Sequence, residues 1–198
     1  MSDLLRLGIV GSKFAAAFHF ESYHSAGALA TVAGVYSKTR ENTDKFAAAR
    51  GITAVSSFEE MVESVDVVDI CAPGYVHEQY AIKAAQAGKH TIVEKPYTGY
   101  YGPDDAGDDW RGDTACKQTM LEAAMASVER IDAAVIAAGV TLCYAENWVY
   151  APSIQKEVEV LTATQGQILW MTGEESHSGS HSPSYGNWRE AGGGSIDR

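Results

Sequence analysis

The sequence predicts a doubly wound α/β fold with a parallel sheet, followed by the start of an α+β second domain. Three observations carry this. Strand-like and helix-like segments alternate from about residue 4 to residue 144 with short links. The run Val65–Ala72, VDVVDICA, has the continuous apolar character of a strand covered on both faces. Glycines stand where helices should stop, at Gly51, Gly88 and Gly139.

In chain order, Leu4–Val10 reads as a strand and Phe14–Ser25 as a helix. Thr31–Tyr36 is the second strand, and Thr39–Arg50 a helix ended by Gly51. Ser57-Phe58-Glu59-Glu60 has capping-box spacing and opens the third helix. Val65–Ala72 is a strand, Val76–Ala87 a helix and His90–Val93 a strand. Thr98–Asp113, TGYYGPDDAGDDWRGD, is rich in Gly and Asp and reads as a surface loop anchored by Tyr100, Tyr101 and Trp110. Lys117–Ala138 is a long Ala-rich helix, and Val140–Tyr144 a further strand. Right-handed crossovers then put the strand C-termini, and a ligand, on one edge. After Tyr144 the rhythm changes. Pro152 suits the first turn of a helix through about Ala163. Gln167–Glu174 reads as a strand outside the first sheet, and His177–Gly194 as a polar loop. The expected domains are 1–146 and 147–198.

Composition narrows the partners. The 198 residues are 45% hydrophobic and 21% charged, which is ordinary for a globular chain. Lys and Arg number 15 against 26 Asp and Glu, a net charge of −11. Such a surface repels phosphate backbones, so no nucleic-acid partner is expected, although a local basic pocket is compatible with it. No apolar run reaches the roughly 18 residues of a membrane span. Met1-Ser2-Asp3 leads directly into the first strand without a secretory n-region. Cys71, Cys116 and Cys143 are odd in number and scattered. Cys71 and Cys143 lie in apolar runs and read as buried thiols in a reducing compartment. The expected location is cytoplasmic.

The first β-to-α turn is GIVGSKFAAAFH. A dinucleotide fingerprint G-x-G-x-x-G beginning at Gly11 would have its later glycines at Lys13 and Ala16. Alanine suffices at the third position, where a helix packs closely. At the second, the backbone must approach a pyrophosphate, and Lys13 either adds a cation there or fills the space. The same turn also occurs in α/β folds that hold no nucleotide. The second strand ends in VYSKTRE. A free ribose diol calls for Asp or Glu at this point. Ser37, Lys38, Thr39 and Arg40 suit a 2′-phosphate instead, which Arg grips bidentately, or else form a solvated helix start.

The stretch CAPGYVHEQYAIKAAQAGKHTIVEKPY carries Pro73, His77, Gly88, Lys89, His90, Glu94, Lys95 and Pro96. With NWVYAP and WREAGGG downstream, it resembles the glucose–fructose oxidoreductase/inositol dehydrogenase (Gfo/Idh/MocA) family over nearly the whole chain. The resemblance implies a Rossmann domain and an NAD(P)-dependent dehydrogenase of sugars, polyols or related carbonyl compounds. It implies cofactor contacts, NADP preferred or NAD, from Gly11, Ser12, Lys13 and Phe14, from Ser37, Lys38 and Arg40, and from Ala72, Pro73, His77, Glu94 and Lys95. Lys95 is the expected catalytic acid–base group, at the C-terminal end of a buried strand where burial and a nearby cation would lower its pKa. Pairing with Glu94 is its bland alternative. Substrate contacts are expected from Asn147, Trp148, His177, His181, Trp188 and Arg189. Trp148, Tyr150 and Trp188 would wall a sugar site or pack between domains. Glu174, Glu175, His177 and His181 fall across a strand end and a loop, so no metal site is expected. The family's second domain implies a homo-oligomer.

The chain departs from the family pattern at Gly74, where Asn is common, and in its long acidic loop after Pro96. Asp197 stands near the place of the family's D-x-x-x-H segment, and no His follows it. The expectation is a truncated chain that binds cofactor without turnover. Two other readings stay open here: a dinucleotide-binding regulatory protein without catalysis, and a lyase or hydrolase using bound NAD.

Overall fold

The computed structural model describes residues 4–26, 29–174 and 186–192. Six strands form one parallel sheet: β1 (Leu5–Val10), β2 (Ala30–Tyr36), β3 (Thr53–Ala54), β4 (Val67–Ile70), β5 (His90–Glu94) and β6 (Leu142–Ala145). Their spatial order is β3-β2-β1-β4-β5-β6. The order reverses between β1 and β4, and there the carboxyl ends of neighbouring strands splay into a crevice. The helices are α1 (Phe14–Ala26), α2 (Arg40–Arg50), α3 (Phe58–Ser64), α4 (His77–Gln86), α5 (Lys117–Ala138), α6 (Pro152–Thr164) and α7 (Trp188–Ala191). Among the described residues no helix is long and apolar enough to cross a membrane.

Adjacent residues of each strand feed opposite faces of the sheet. Val10, Val68, Ile70 and Val93 pack with Phe58 and Met61 of α3, Ala81 and Ala84 of α4 and Ile131 of α5. On the other face Ile9, Val35 and Cys71 pack with Ala16 of α1 and with Phe46 and Ala47 of α2. Two layers of helices thus bury the sheet from both sides. Ser57 caps α3 by accepting from the Glu60 N–H at 3.0 Å, as the capping-box spacing predicts. The carboxylate of Glu60 accepts from the Ser56 N–H at 2.9 Å. Gly51 and Gly139 end α2 and α5 in the left-handed region, at φ of 66° and 64°.

Two expectations are corrected, and one short strand is added to those the sequence indicates. Gln167–Glu174 is not a strand: among the described residues it pairs with no sheet edge, and Leu169 and Trp170 are 88% and 84% exposed. An apolar run becomes a strand only where a partner edge takes its N–H and C=O groups. Cys143 is exposed, not buried, while Cys71 is buried. It lies on β6, at the edge of the sheet. Thr53–Ala54 forms a two-residue strand beside Gly34 and Val35, too short to leave a periodic signal.

Candidate functional site

The crevice at the switch point begins with Gly11. Its φ is +123°, and a Cβ there would lie 2.6 Å from the Cys71 carbonyl oxygen. The turn after β1 is therefore pressed against the end of β4, an approach only glycine permits. The Gly11 N–H donates to the Tyr36 carbonyl at 2.8 Å, tying the turn to β2 as well. Gly11→Ala is expected to cost about 1–3 kcal/mol of stability, through backbone strain, and to abolish cofactor binding. Urea unfolding and an NADPH titration check both. A variant unchanged in each would mean that the close approach is not needed.

Three hydroxyls link this turn to the end of β2. Ser12 Oγ donates to Ser37 Oγ at 3.0 Å, and Ser37 Oγ lies 2.8 Å from Thr43 Oγ1 in α2. Lys38 is exposed beside them. The guanidinium of Arg40 is held by Asp44 one turn along, at 2.8 Å. Ser12, Lys13 and Phe14 also line a cleft of about 370 Å³ between the beginning of α1 and the length of α2, facing Asn42, Lys45, Phe46 and Arg50.

On the other side of the crevice, Ala72, Pro73 and Gly74 follow β4, and Lys95 and Pro96 follow β5. The Lys95–Pro96 peptide is cis. His77 is fully buried beneath these two segments. Its Nδ1 lies 2.8 Å from the Pro96 carbonyl and its Nε2 2.8 Å from the Ala72 carbonyl. Burial holds its pKa below the ordinary imidazole value. The buried imidazole thus sits between the two segments from below, and in its neutral form its single N–H donates to one of the two carbonyls. Gly74, the departure from the family's Asn, is explained by contact. Any Cβ there would collide with the Tyr101 hydroxyl, so the long acidic loop occupies the space a side chain would take.

The fold assembles one group that the sequence reading did not find. Asp69 of β4 is fully buried. Its carboxylate receives His19 Nδ1 at 2.9 Å, the Tyr23 hydroxyl at 2.9 Å and the Cys71 thiol at 3.5 Å. His19 Nε2 lies 3.5 Å from Glu94 Oε1, so the ring bridges β4 to β5 next to Lys95. Burial opposes charge on His19, but the hydrogen bonds and negative charge of Asp69 and Glu94 outweigh it and hold the pKa up to about 10. Burial, then Asp69, pushes the Tyr23 phenol and the Cys71 thiol upward. The available signal was an aspartate inside an apolar strand, because a buried carboxylate requires a partner.

The candidate substrate residues separate. Trp188 packs edge-on against Trp110, which packs in turn on Tyr100. Arg189 donates to the Pro103 carbonyl at 2.8 Å. These two side chains are joined to the acidic loop. Trp148 is 63% and Tyr150 73% exposed, and Asn147 is exposed, in the turn before α6. His177 and His181 lie outside the described residues.

A family model described as an oxidoreductase family with an NAD-binding Rossmann fold, GFO_IDH_MocA, matches residues 5–106. A UDP-N-acetylglucosamine 3-dehydrogenase of Acidithiobacillus ferrooxidans is 33% identical over 94 residues, covering 48% of this chain and 29% of that protein. An inositol 2-dehydrogenase of Renibacterium salmoninarum is 30% identical over 109 residues, covering 54% of this chain and 31% of that protein. The chain thus matches under a third of the length of either. Among solved structures, the WlbA dehydrogenase of Bordetella pertussis, in complex with NADH and UDP-GlcNAcA, superposes with a TM-score of 0.63. It is 22% identical, over 80% of this chain and 43% of that one. Biliverdin reductase of a Synechocystis species, in complex with biliverdin and NADP+, superposes with a TM-score of 0.59. It is 21% identical, over 80% and 43% of the two chains. At those identities the structural likeness concerns the fold.

Proposed function

Because the chain belongs to this family of NAD-binding oxidoreductases, we propose that residues 1–146 bind a nicotinamide dinucleotide across the crevice between β1 and β4, with NADP preferred to NAD. The observation that carries the reading is the Gly11 turn, pressed on the end of β4 at the start of α1. The first N–H groups of a helix lack intrahelical partners and carry the positive end of its dipole, so this turn suits a pyrophosphate. Gly11, Ser12 and Phe14 take that part, and Ala72 and Pro73 the part beside the nicotinamide.

When bound, the nicotinamide supplies the site at C4 that gives or takes a hydride. In the whole enzyme the substrate is a sugar, a polyol or a related carbonyl compound. Lys95 holds the substrate oxygen and moves its proton. Glu94, clamped by His19, turns to the α1 side, and His77 acts through the two carbonyls it spans. Residues 147–198 open the substrate domain. Asn147, Trp148, Trp188 and Arg189 belong to its contacts, and the assembly is a homo-oligomer.

The preference for the 2′-phosphate rests on the end of β2, where Ser37, Lys38 and Arg40 stand in place of a carboxylate. Arg40 is paired with Asp44, but an exposed i,i+4 pair is worth only about 0.3–0.5 kcal/mol. A charge-assisted hydrogen bond to phosphate contributes about 1.5–3 kcal/mol, so the phosphate draws the guanidinium away. NADPH is therefore expected to bind roughly 10-fold or more tightly than NADH, and Arg40→Asp to erase or reverse the preference. Calorimetric titration checks this. Equal or stronger NADH binding by the unmutated chain refutes the preference.

A further inference from the structure

We propose that Lys13 is a phosphate-binding residue: with Asn42 and Lys45 it forms a seat for the 2′-phosphate of NADP at the mouth of the cleft between α1 and α2. The inference rests on the NADP reading above and locates part of that specificity outside the β2 end.

Lys13 replaces the fingerprint's second glycine, yet the turn keeps its shape. Gly11 retains its left-handed φ of +123°, and Ser12 reaches Ser37 at 3.0 Å. The lysine side chain is exposed and lines the cleft of about 370 Å³ together with Ser12, Asn42 and Lys45. Ser12, whose hydroxyl donates to Ser37 Oγ, is itself one of the cleft-lining residues, so the cleft reaches that hydroxyl pair at its Ser12 end. Three cations, Lys13, Lys45 and Arg50, line this one cleft in a chain of net charge −11. Their partners differ. Lys45 is paired with Glu41 at 2.6 Å, and the Arg50 guanidinium lies 3.9 Å from the centre of the Phe46 ring. Lys13 has no hydrogen bond or ion pair among the described residues. Lys38, next to Ser37, is likewise without a hydrogen bond or ion pair among the described residues, but only Lys13 of the two lines the cleft, and a phosphate monoester carries about −1.5 to −2 near pH 7. A ribose without the phosphate gives Lys13 nothing to hold, and the side chain then only narrows the approach to the turn.

The two cofactors should therefore respond differently to Lys13→Gly, which removes the charge and restores the fingerprint glycine. Titration of the whole chain with NADPH and NADH, with 2′,5′-ADP and 5′-AMP as competitors, reads the difference. The expected result is NADPH and 2′,5′-ADP weakened about 10-fold or more, the scale of one charge-assisted hydrogen bond. NADH and 5′-AMP should hold or tighten, and Lys13→Arg should keep most of the NADPH affinity. Both cofactors tightening alike, both weakening alike, or neither moving overturns the proposal. An NADPH preference that survives Lys13→Gly overturns it while leaving the Ser37–Arg40 reading in place. Absence of any preference in the unmutated chain removes that reading itself.

Discussion

His19→Leu is expected to lower the unfolding free energy by about 3–5 kcal/mol at neutral pH, the usual cost of removing one partner of a buried ion pair. The reason lies in what remains. Asp69 is fully buried and would keep only the Tyr23 hydroxyl and the Cys71 thiol as donors, with Glu94 close by on the next strand. The same ring sets a pH dependence. Its folded-state pKa of about 10 lies above the unfolded value of about 6.5. The stabilisation is thus complete below about pH 6.5 and is lost as pH rises through about 10. Urea unfolding at pH 6, 8 and 10 should show a decline in the unmutated chain and a flatter profile in His19→Leu. Parallel profiles for the two would show that His19 is not a charged clamp.

The second large effect concerns turnover. In a full-length relative carrying the same Glu-Lys-Pro run, replacing the lysine that corresponds to Lys95 with alanine should lower kcat by about 100-fold or more, the scale of acid–base assistance. In the present chain, Lys95→Ala should leave NADPH affinity within a few-fold, because the pyrophosphate turn lies across the crevice at β1. Steady-state kinetics of the relative and titration of this chain test the two halves separately. A lysine variant with near-full turnover would reduce Lys95 to a structural cation.

Much of the sheet was legible in the sequence because its signals are local. The Ser57–Glu60 cap and the glycine stops after α2 and α5 act within a few residues, and the structure places them where the pattern does. The errors are of another kind. Whether Gln167–Glu174 becomes a strand depends on a partner edge elsewhere in space, and whether Cys143 is buried depends on what covers the edge of the sheet. The site follows the same division. The Gly11 turn and the run Glu94-Lys95-Pro96 are contiguous motifs and could be read directly. The His19–Asp69–Glu94 group joins a helix to two strands, 50 residues separating the first pair. In the sequence it shows only as one aspartate inside an apolar run. The pairing of Arg40 with Asp44 was hidden for a similar reason, since an exposed carboxylate one turn away looks like solvated surface until the side chains are placed.

The central claim, a dinucleotide laid across the β1/β4 switch point, is tested most directly by amide chemical-shift mapping of the isotopically labelled chain titrated with NADPH. Perturbed signals should cluster at three segments: 11–14 after β1, 37–40 after β2 and 72–74 after β4. A titration that leaves all three unmoved, or moves signals only away from the C-terminal edge of the sheet, would contradict it.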